Sequence, residues 1–296
     1  MELSTTTPAK INLSLRLTGK RSDGYNNIET VFMPLFGLVD TVRVKEVKGD
    51  GITVKCDVPG VPEDSENLCW KAATRFAENS GVTACWHVEI KKNIPVAAGL
   101  GGGSSDAAAV ISLLNEMYDK PLNENTLHCL ASGIGADVAF FLEPAPAIGK
   151  GRGDELETVE CAMDLPLVLI NPGVPVSAAW AYTNCYTAYN DEMPTADDVA
   201  HQLLEGGSTA AISGMLRNDL EPAIARKYLI VNVIKEFLAE KGCSASLVSG
   251  SGPTVFGLCS SVSQAQRIQA DAEAYFGESF SFWSGLAPGN CNPHSA

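Results

Sequence analysis

No apolar run in this 296-residue chain approaches eighteen residues, so no membrane-spanning helix is expected. Residues 1–9 offer neither a basic nor an apolar leader region, so no secretory signal is expected there. Basic residues are scarce, with 21 Lys and Arg against 35 Asp and Glu and a net charge of −14. A general nucleic-acid binder needs a basic face to neutralise backbone phosphates, so this balance argues against that class. It does not argue against a small anionic ligand, because a pocket can be locally positive on an acidic protein. The nine cysteines are scattered and odd in number, and no Cys-x-x-Cys occurs, so neither a zinc site nor a redox pair is indicated. Reduced thiols in a cytoplasmic protein are the expectation. His87, His128, His201 and His294 have no metal-ligand spacing. Ser249-Gly250-Ser251-Gly252 does not match the Gly-x-Ser-x-Gly elbow of a hydrolase. Internal repeats and low-complexity tracts are also lacking.

What is present is a globular composition, 45% hydrophobic and 19% charged, in a chain long enough for one large or two ordinary domains. Residues 7–17 alternate, with Ile11, Leu13, Leu15 and Leu17 on one face and Lys10, Asn12, Ser14 and Arg16 on the other. The pattern predicts a half-buried strand with a polar face, on which Lys10 taken singly is a solvated residue. Segments 31–38, 40–46 and 52–56 read as an antiparallel series, 67–79 as a helix and 84–90 as a strand. A Pro- and Gly-rich stretch at 144–153 suggests a boundary, giving domains 1–150 and 151–296. A last strand near 279–288 is a candidate for returning to the first domain. The second half alternates strands at 165–170, 244–249, 255–258 and 279–285 with helices from Ser177 to about Tyr186, over 223–241 and over 262–276. Segment 191–209 reads as polar and exposed.

The densest signal is 94–105, Ile-Pro-Val-Ala-Ala-Gly-Leu-Gly-Gly-Gly-Ser-Ser. It lies between the predicted strand and a helix carried by Ala107, Ala108, Val110, Ile111, Leu113, Leu114 and Met117. Asp106 is expected in that helix's first turn, where a negative charge suits the dipole. Four glycines and two hydroxyls at a helix mouth, where backbone N–H groups lack partners, make an anion site. The loop is not a P-loop, because Gly19-Lys20 and Gly149-Lys150 are followed by Arg21 and Gly151. It is not a dinucleotide fingerprint, because Ser104 stands where a third glycine is needed, and no protein-kinase motifs accompany it. Three other stretches suit ligands: Lys10 with Asn12, the turn 249–254, and Gly135-Ala136-Asp137. An acidic residue inside an apolar segment is costly unless paired or used, which singles out Asp137, with a turn or helix-cap role as the plain alternative.

Taken together these stretches resemble the GHMP kinases, the superfamily of homoserine, mevalonate and galactose kinases. The three carriers are Pro8-Ala9-Lys10-Ile11-Asn12-Leu13, then Ile94-Pro95 through Gly99 to Ser105, then Val248-Ser249-Gly250-Ser251-Gly252-Pro253-Thr254. Residues 18–25, 100–106, 135–138 and 218–221 resemble the branch that acts on a cytidine-diphosphate-linked sugar alcohol. The resemblance covers roughly 8–288 and is thin over 183–216.

The resemblance implies a two-domain α+β fold with its active site in the cleft between domains. It further implies ATP-dependent phosphorylation of the 2-hydroxyl of a CDP-linked methylerythritol, on the non-mevalonate route to isoprenoid precursors. Asp137 would be the catalytic base and Lys10 its partner. ATP would lie on Pro95, Val96, Ala97, Ala98, Gly99, Leu100, Gly101, Gly102, Gly103, Ser104 and Ser105, with Lys92 and Asn67 on the nucleotide side. Mg²⁺ would enter on the phosphates, with Ser105 as a candidate ligand. Asn12, Tyr25, Asn26, Tyr182, Gly250, Ser251 and Gly252 would meet the substrate, with Tyr25 and Tyr182 on the two faces of cytosine. Three residues depart from the family pattern. Asn26 replaces a histidine that reads cytosine, and asparagine can still donate and accept. Ala139 replaces a proline. Ala97 replaces a glycine and is expected at an ordinary φ. Another GHMP kinase, or a non-catalytic nucleotide-binding protein on this fold, remains open, as does the oligomeric state.

Overall fold

The computed structural model describes residues 1–49, 51–185 and 193–288. Cys291, His294 and the expected helix end at Tyr186 lie outside the described residues. Two compact units emerge. The first takes Met1–Ala9, Leu38–Val96 and Gly101–Pro144; the second takes Lys10–Gly37, Ala97–Leu100 and the chain from Ala145 on. Strands β1 (Glu2–Lys20) and β2 (Asn26–Glu46) contribute residues to both. β2 runs unbroken where two strands were expected.

In the first unit, β3 (Gly51–Cys56) pairs with β4 (Cys85–Lys91), and β4 pairs antiparallel with Thr41–Glu46 of β2. β3 therefore does not continue the antiparallel series expected of 31–38, 40–46 and 52–56, but pairs in parallel with β4. The reason is α1 (Leu68–Ser80), a crossover helix of the kind that parallel neighbours need. Asn67 caps it by accepting from the Cys69 N–H at 2.8 Å, and Gly81 closes it at φ 73°. α2 (Gly102–Met117) is apolar almost all round and buried, which suits a helix inside a core rather than on its surface. α3 (Glu124–Ile134) and the short α4 (Ala136–Phe140) follow. Phe76 and Trp86 meet edge to face at 6.1 Å, and both are fully buried.

In the second unit, β5 (Ala147–Lys150) pairs with Thr30–Phe32 of β2 and forms a hairpin with β6 (Glu155–Thr158). A separate four-stranded sheet has the order β11-β7-β10-β9, built from β7 (Leu165–Asn171), β9 (Ala245–Val248), β10 (Val255–Leu258) and β11 (Ser281–Ala287). β11 pairs along its whole length with β7, so the last strand stays with this sheet rather than returning to the first domain. Helices α5 (Ala178–Asn184), α6 (Ala196–Glu205) and α7 (Thr209–Ser213) come next, and β8 (Arg217–Asn218) lies parallel to β1 at Ser14 and Leu15. α6 corrects the exposed reading of 191–209. Thr195 and Asp198 form a capping box, and Val199 and Leu203 are buried. The helix expected over 223–241 is two, α8 (Glu221–Lys227) and α9 (Ile230–Glu240), followed by α10 (Val262–Phe276). The break at Tyr228–Leu229 holds no Gly or Pro and is set by packing. Tyr228 meets Trp180 edge to face at 5.9 Å. Ile224, Val231, Ile234, Leu238, Val248 and Val255 are among the buried residues of this unit's core. Among the described residues, no helix is long and apolar enough to cross a membrane.

Candidate active site

The polar face of β1 is not solvated. Lys10, Asn12 and Ser14 are each 3% exposed or less. Lys10 is therefore no surface residue, because a buried ammonium needs hydrogen-bond acceptors. Its Nζ donates to Asn12 Oδ1 at 2.7 Å; Asn12 Nδ2 donates to Thr30 Oγ1 at 2.7 Å, and Thr30 Oγ1 donates to the Ser14 carbonyl at 2.5 Å. The chain of bonds fixes the asparagine amide and, through it, the lysine.

Three of the four ligand-bearing stretches, Lys10 with Asn12, the glycine loop and the turn 249–254, converge here. The Lys10 N–H donates to the Leu100 carbonyl at 2.9 Å. Ser249 Oγ donates to the Gly99 carbonyl at 3.0 Å, and the Thr254 N–H reaches the Ala98 carbonyl at 3.4 Å. Gly250 faces Lys10 and Asn12 so closely that an added Cβ would lie 3.2 Å from Lys10 Nζ and 3.1 Å from Asn12 Oδ1. Asn218 Nδ2 holds the turn by donating to the Val248 and Gly250 carbonyls at 2.8 and 2.7 Å. Ser251 and Gly252 complete that turn, where the Gly252 N–H bonds to the Ser249 carbonyl at 2.8 Å.

Gly99 has φ 77°, and a Cβ there would collide with the Ser249 carbonyl and lie 2.7 Å from the Gly252 nitrogen. Only glycine permits both the conformation and the approach. Ala97 has φ 52°, which corrects the ordinary value expected for it. The carbonyls of Ala98 and Gly99 are held by the 249–254 turn, and that hold keeps the chain left-handed there.

α2 opens with Gly101 as its N-cap and no side chain capping it. No side chain takes up its first-turn N–H groups, the condition under which a helix N-terminus can receive an anion. Pro95 and Val96 precede this point, and Val96 is half exposed. Ser104 is half-buried, while Ser105 is fully buried. Ser105 Oγ donates to the Pro8 carbonyl at 2.6 Å and lies 2.5 Å from Thr7 Oγ1, so its hydroxyl is spent within the fold. The helix begins earlier than expected. Asp106 stands in its second turn, buried, and forms an ion pair with Lys92 at 2.7 Å. Lys92 also pairs with the buried Asp40. Burial pulls Lys92 down, but Asp106 and Asp40 together lift it above its ordinary value. Burial pushes the Asp106 carboxyl up to about 7; Lys92 opposes this and Asp40 adds to it. Asn67, besides capping α1, donates to the Pro62 carbonyl at 2.6 Å.

Asp137 lies in the first turn of α4, half-buried, after an extended Gly135 at φ −172°. Tyr25 is 60% exposed and has the Arg152 guanidinium 5.8 Å from its ring centre. Asn26 starts β2, and Tyr182 packs from α5 against the second unit's core.

Comparison with known proteins adds to this geometry. The family described as "GHMP kinases N terminal domain" matches residues 67–143, and "GHMP kinases C terminal" matches 200–278. A 4-diphosphocytidyl-2-C-methyl-D-erythritol kinase of Chlorobium phaeobacteroides is 38% identical over 273 residues, 92% of this chain and 93% of that one. A kinase so named from Prosthecochloris aestuarii is 37% identical over 269 residues, 90% of this chain and 93% of the other. The chain belongs to the 4-diphosphocytidyl-2-C-methyl-D-erythritol kinase family of GHMP kinases. A crystal structure of 4-(cytidine 5'-diphospho)-2C-methyl-D-erythritol kinase matches with a TM-score of 0.79 at 30% identity, covering 96% of this chain and 98% of the other. A homoserine kinase from Cytophaga hutchinsonii, with a TM-score of 0.76 at 19% identity, shares the fold.

Three residues that touch the candidate site residues Asn12, Lys92 and Tyr25 carry no motif signal: Thr30, Asp40 and Arg152. Asp40 was open to detection by the argument that singled out Asp137. It sits among Leu38, Val39 and Val42 and is fully buried.

Proposed function

We propose that the chain transfers the γ-phosphoryl group of ATP to the 2-hydroxyl of 4-(cytidine 5'-diphospho)-2-C-methyl-D-erythritol, in the cytoplasm, on the non-mevalonate route to isoprenoid precursors. The observation that carries this reading is the meeting of the three motifs around Lys10 and Asn12. The triphosphate lies along 95–105, on the uncapped N–H groups of α2. Ser104 is the hydroxyl left for it, since Ser105 is bonded to Pro8 and Thr7. Lys92 and Asn67 serve the nucleotide side by fixing its backbone.

Asp137 accepts the proton of the 2-hydroxyl as the new P–O bond forms and the bond to the β-phosphate oxygen breaks, releasing ADP. Lys10 supplies the positive charge that steadies the transferring group and favours an ionised base. Tyr25 and Tyr182 stack on cytosine, Asn26 reads its edge, and Asn12, Gly250, Ser251 and Gly252 line the sugar-alcohol side. Among the described residues no group of three or more His, Cys, Asp or Glu could hold a metal ion. The phosphates themselves would thus bring Mg²⁺, with Ser104 as the hydroxyl at hand, and its chemistry would be charge neutralisation. We take 1–150 and 151–296 as the two domains. One family match falls in each, and the second unit holds the chain from Ala145 on.

The test is steady-state ADP release with the CDP-linked substrate, set against homoserine and mevalonate. Turnover is expected with the first alone. Tyr25→Ala is expected to raise its KM by about 5- to 150-fold, the equivalent of losing one base–aromatic stack. Turnover on homoserine, or an unchanged KM in Tyr25→Ala, would hand the substrate assignment to another GHMP kinase.

A further inference from the structure

Asp40, Lys92 and Asp106 come from β2, from the segment after β4 and from α2, and they meet at the base of the glycine loop. Lys92 Nζ sits between Asp40 Oδ2 and Asp106 Oδ2, with no side chain of the three more than 5% exposed. The other oxygen of Asp40 accepts from the backbone N–H groups of Asn93 at 2.6 Å and Ile94 at 2.8 Å. These are the residues at which the chain enters the loop. Asp106 stands one turn beyond the point at which it leaves. The three side chains thus join the loop's entrance to its exit. Gly102 closes over the join, since a Cβ there would lie 3.0 Å from Lys92 Nζ and 3.0 Å from Ile94 Cγ2.

A buried ion pair is a weak device for stability, because well-packed apolar side chains of similar volume usually do as well. It does fix geometry, since each charge must keep its partner or be left buried alone. A loop rich in glycine has much conformational freedom to lose when it closes on a ligand, and fixing its ends beforehand reduces that loss. We propose that Asp40 and Asp106, acting through Lys92, are positioning residues for the nucleotide, holding the ends of the glycine loop at the spacing that a triphosphate requires. The proposal rests on the reading of the loop as the ATP site. Asp106 Oδ1 is buried without a hydrogen-bond partner.

The experiment compares wild type, Asp40→Asn and Asp106→Asn at saturating Mg²⁺. Asp40→Asn keeps an oxygen for the Asn93 and Ile94 N–H groups and removes the charge that faces Lys92. Each variant is measured for KM of ATP, KM of the CDP-linked substrate, kcat, equilibrium binding of ADP and thermal midpoint. We expect KM for ATP and Kd for ADP to rise about tenfold in Asp40→Asn, with KM for the other substrate within about twofold. Asp106→Asn is expected to move the same two constants in the same direction by less. A merely structural role would lower the thermal midpoint and leave the split between the two KM values unmoved, and that result would overturn the proposal. Failure of both variants to fold would assign the three residues to stability alone and overturn it equally. Wild type that binds no ADP would instead sink the ATP reading, which separates the two failures.

Discussion

At its two ends the glycine loop is tied by charge, through Asp40, Lys92 and Asp106, while its middle is shaped by backbone conformation and neutral hydrogen bonds. In the middle, Ala97 and Gly99 are left-handed, and the carbonyls of Ala98, Gly99 and Leu100 accept from Thr254, Ser249 and Lys10. The two kinds of hold do different things. Attraction between charges is weakly directional and sets where a segment lies. Hydrogen bonds and φ angles set which way each carbonyl and N–H points. A loop that must present N–H groups to phosphates needs its ends placed and its middle oriented.

Neither hold performs chemistry on this account, and the largest predicted effect tests that. With Asp137 as the proposed base, Asp137→Asn is expected to lower kcat by roughly 10²–10⁴-fold while ATP still binds. Single-turnover kinetics with a parallel nucleotide-binding measurement would check it. Near-normal turnover would move the chemistry onto the loop and its partners and erase the division between placing and reacting.

The next effect divides the middle from the ends. Gly99→Ala forces a side chain into a left-handed φ, a strain of about 1–3 kcal/mol, and into the 249–254 turn besides. That turn also faces Lys10 and Asn12. We therefore expect both KM values to rise, whereas Asp40→Asn should disturb that of ATP alone. If Gly99→Ala leaves the CDP-linked substrate's KM unchanged, the middle and the ends do the same job and the contrast fails.

The middle was largely legible in the sequence, and the ends were not. Lys10, Asn12, the glycine run and Ser249–Thr254 lie in contiguous motifs, so the pattern survives without knowledge of the fold. The strand expected over 255–258 and the helix expected over 262–276 keep their limits as β10 and α10. Asp40 is 52 positions from Lys92, and Asp106 a further 14. No periodicity connects them, and Asp106 was credited to a helix dipole it does not serve. The parallel register of β3 with β4 and the break between α8 and α9 were missed for a like reason. Both are decided by which elements meet, since neither stretch holds a residue that marks it.

The smallest effect concerns Ala97, which holds a conformation suited to glycine. A left-handed alanine costs roughly 1–2 kcal/mol. Replacing it by glycine removes that cost but adds freedom to the unfolded chain, worth roughly 0.5–1 kcal/mol in the opposite direction. Ala97→Gly should therefore stabilise by about 0–1.5 kcal/mol, as read by urea denaturation. KM for ATP should hold within about twofold, because the Ala98 and Gly99 carbonyls keep their partners and those bonds orient the loop. A clear loss of stability would mean that the Ala97 methyl group contributes packing that outweighs its strain. A raised KM for ATP at unchanged stability would mean that the strain itself aims the neighbouring N–H groups, so that backbone conformation rather than hydrogen bonding governs the middle of the loop.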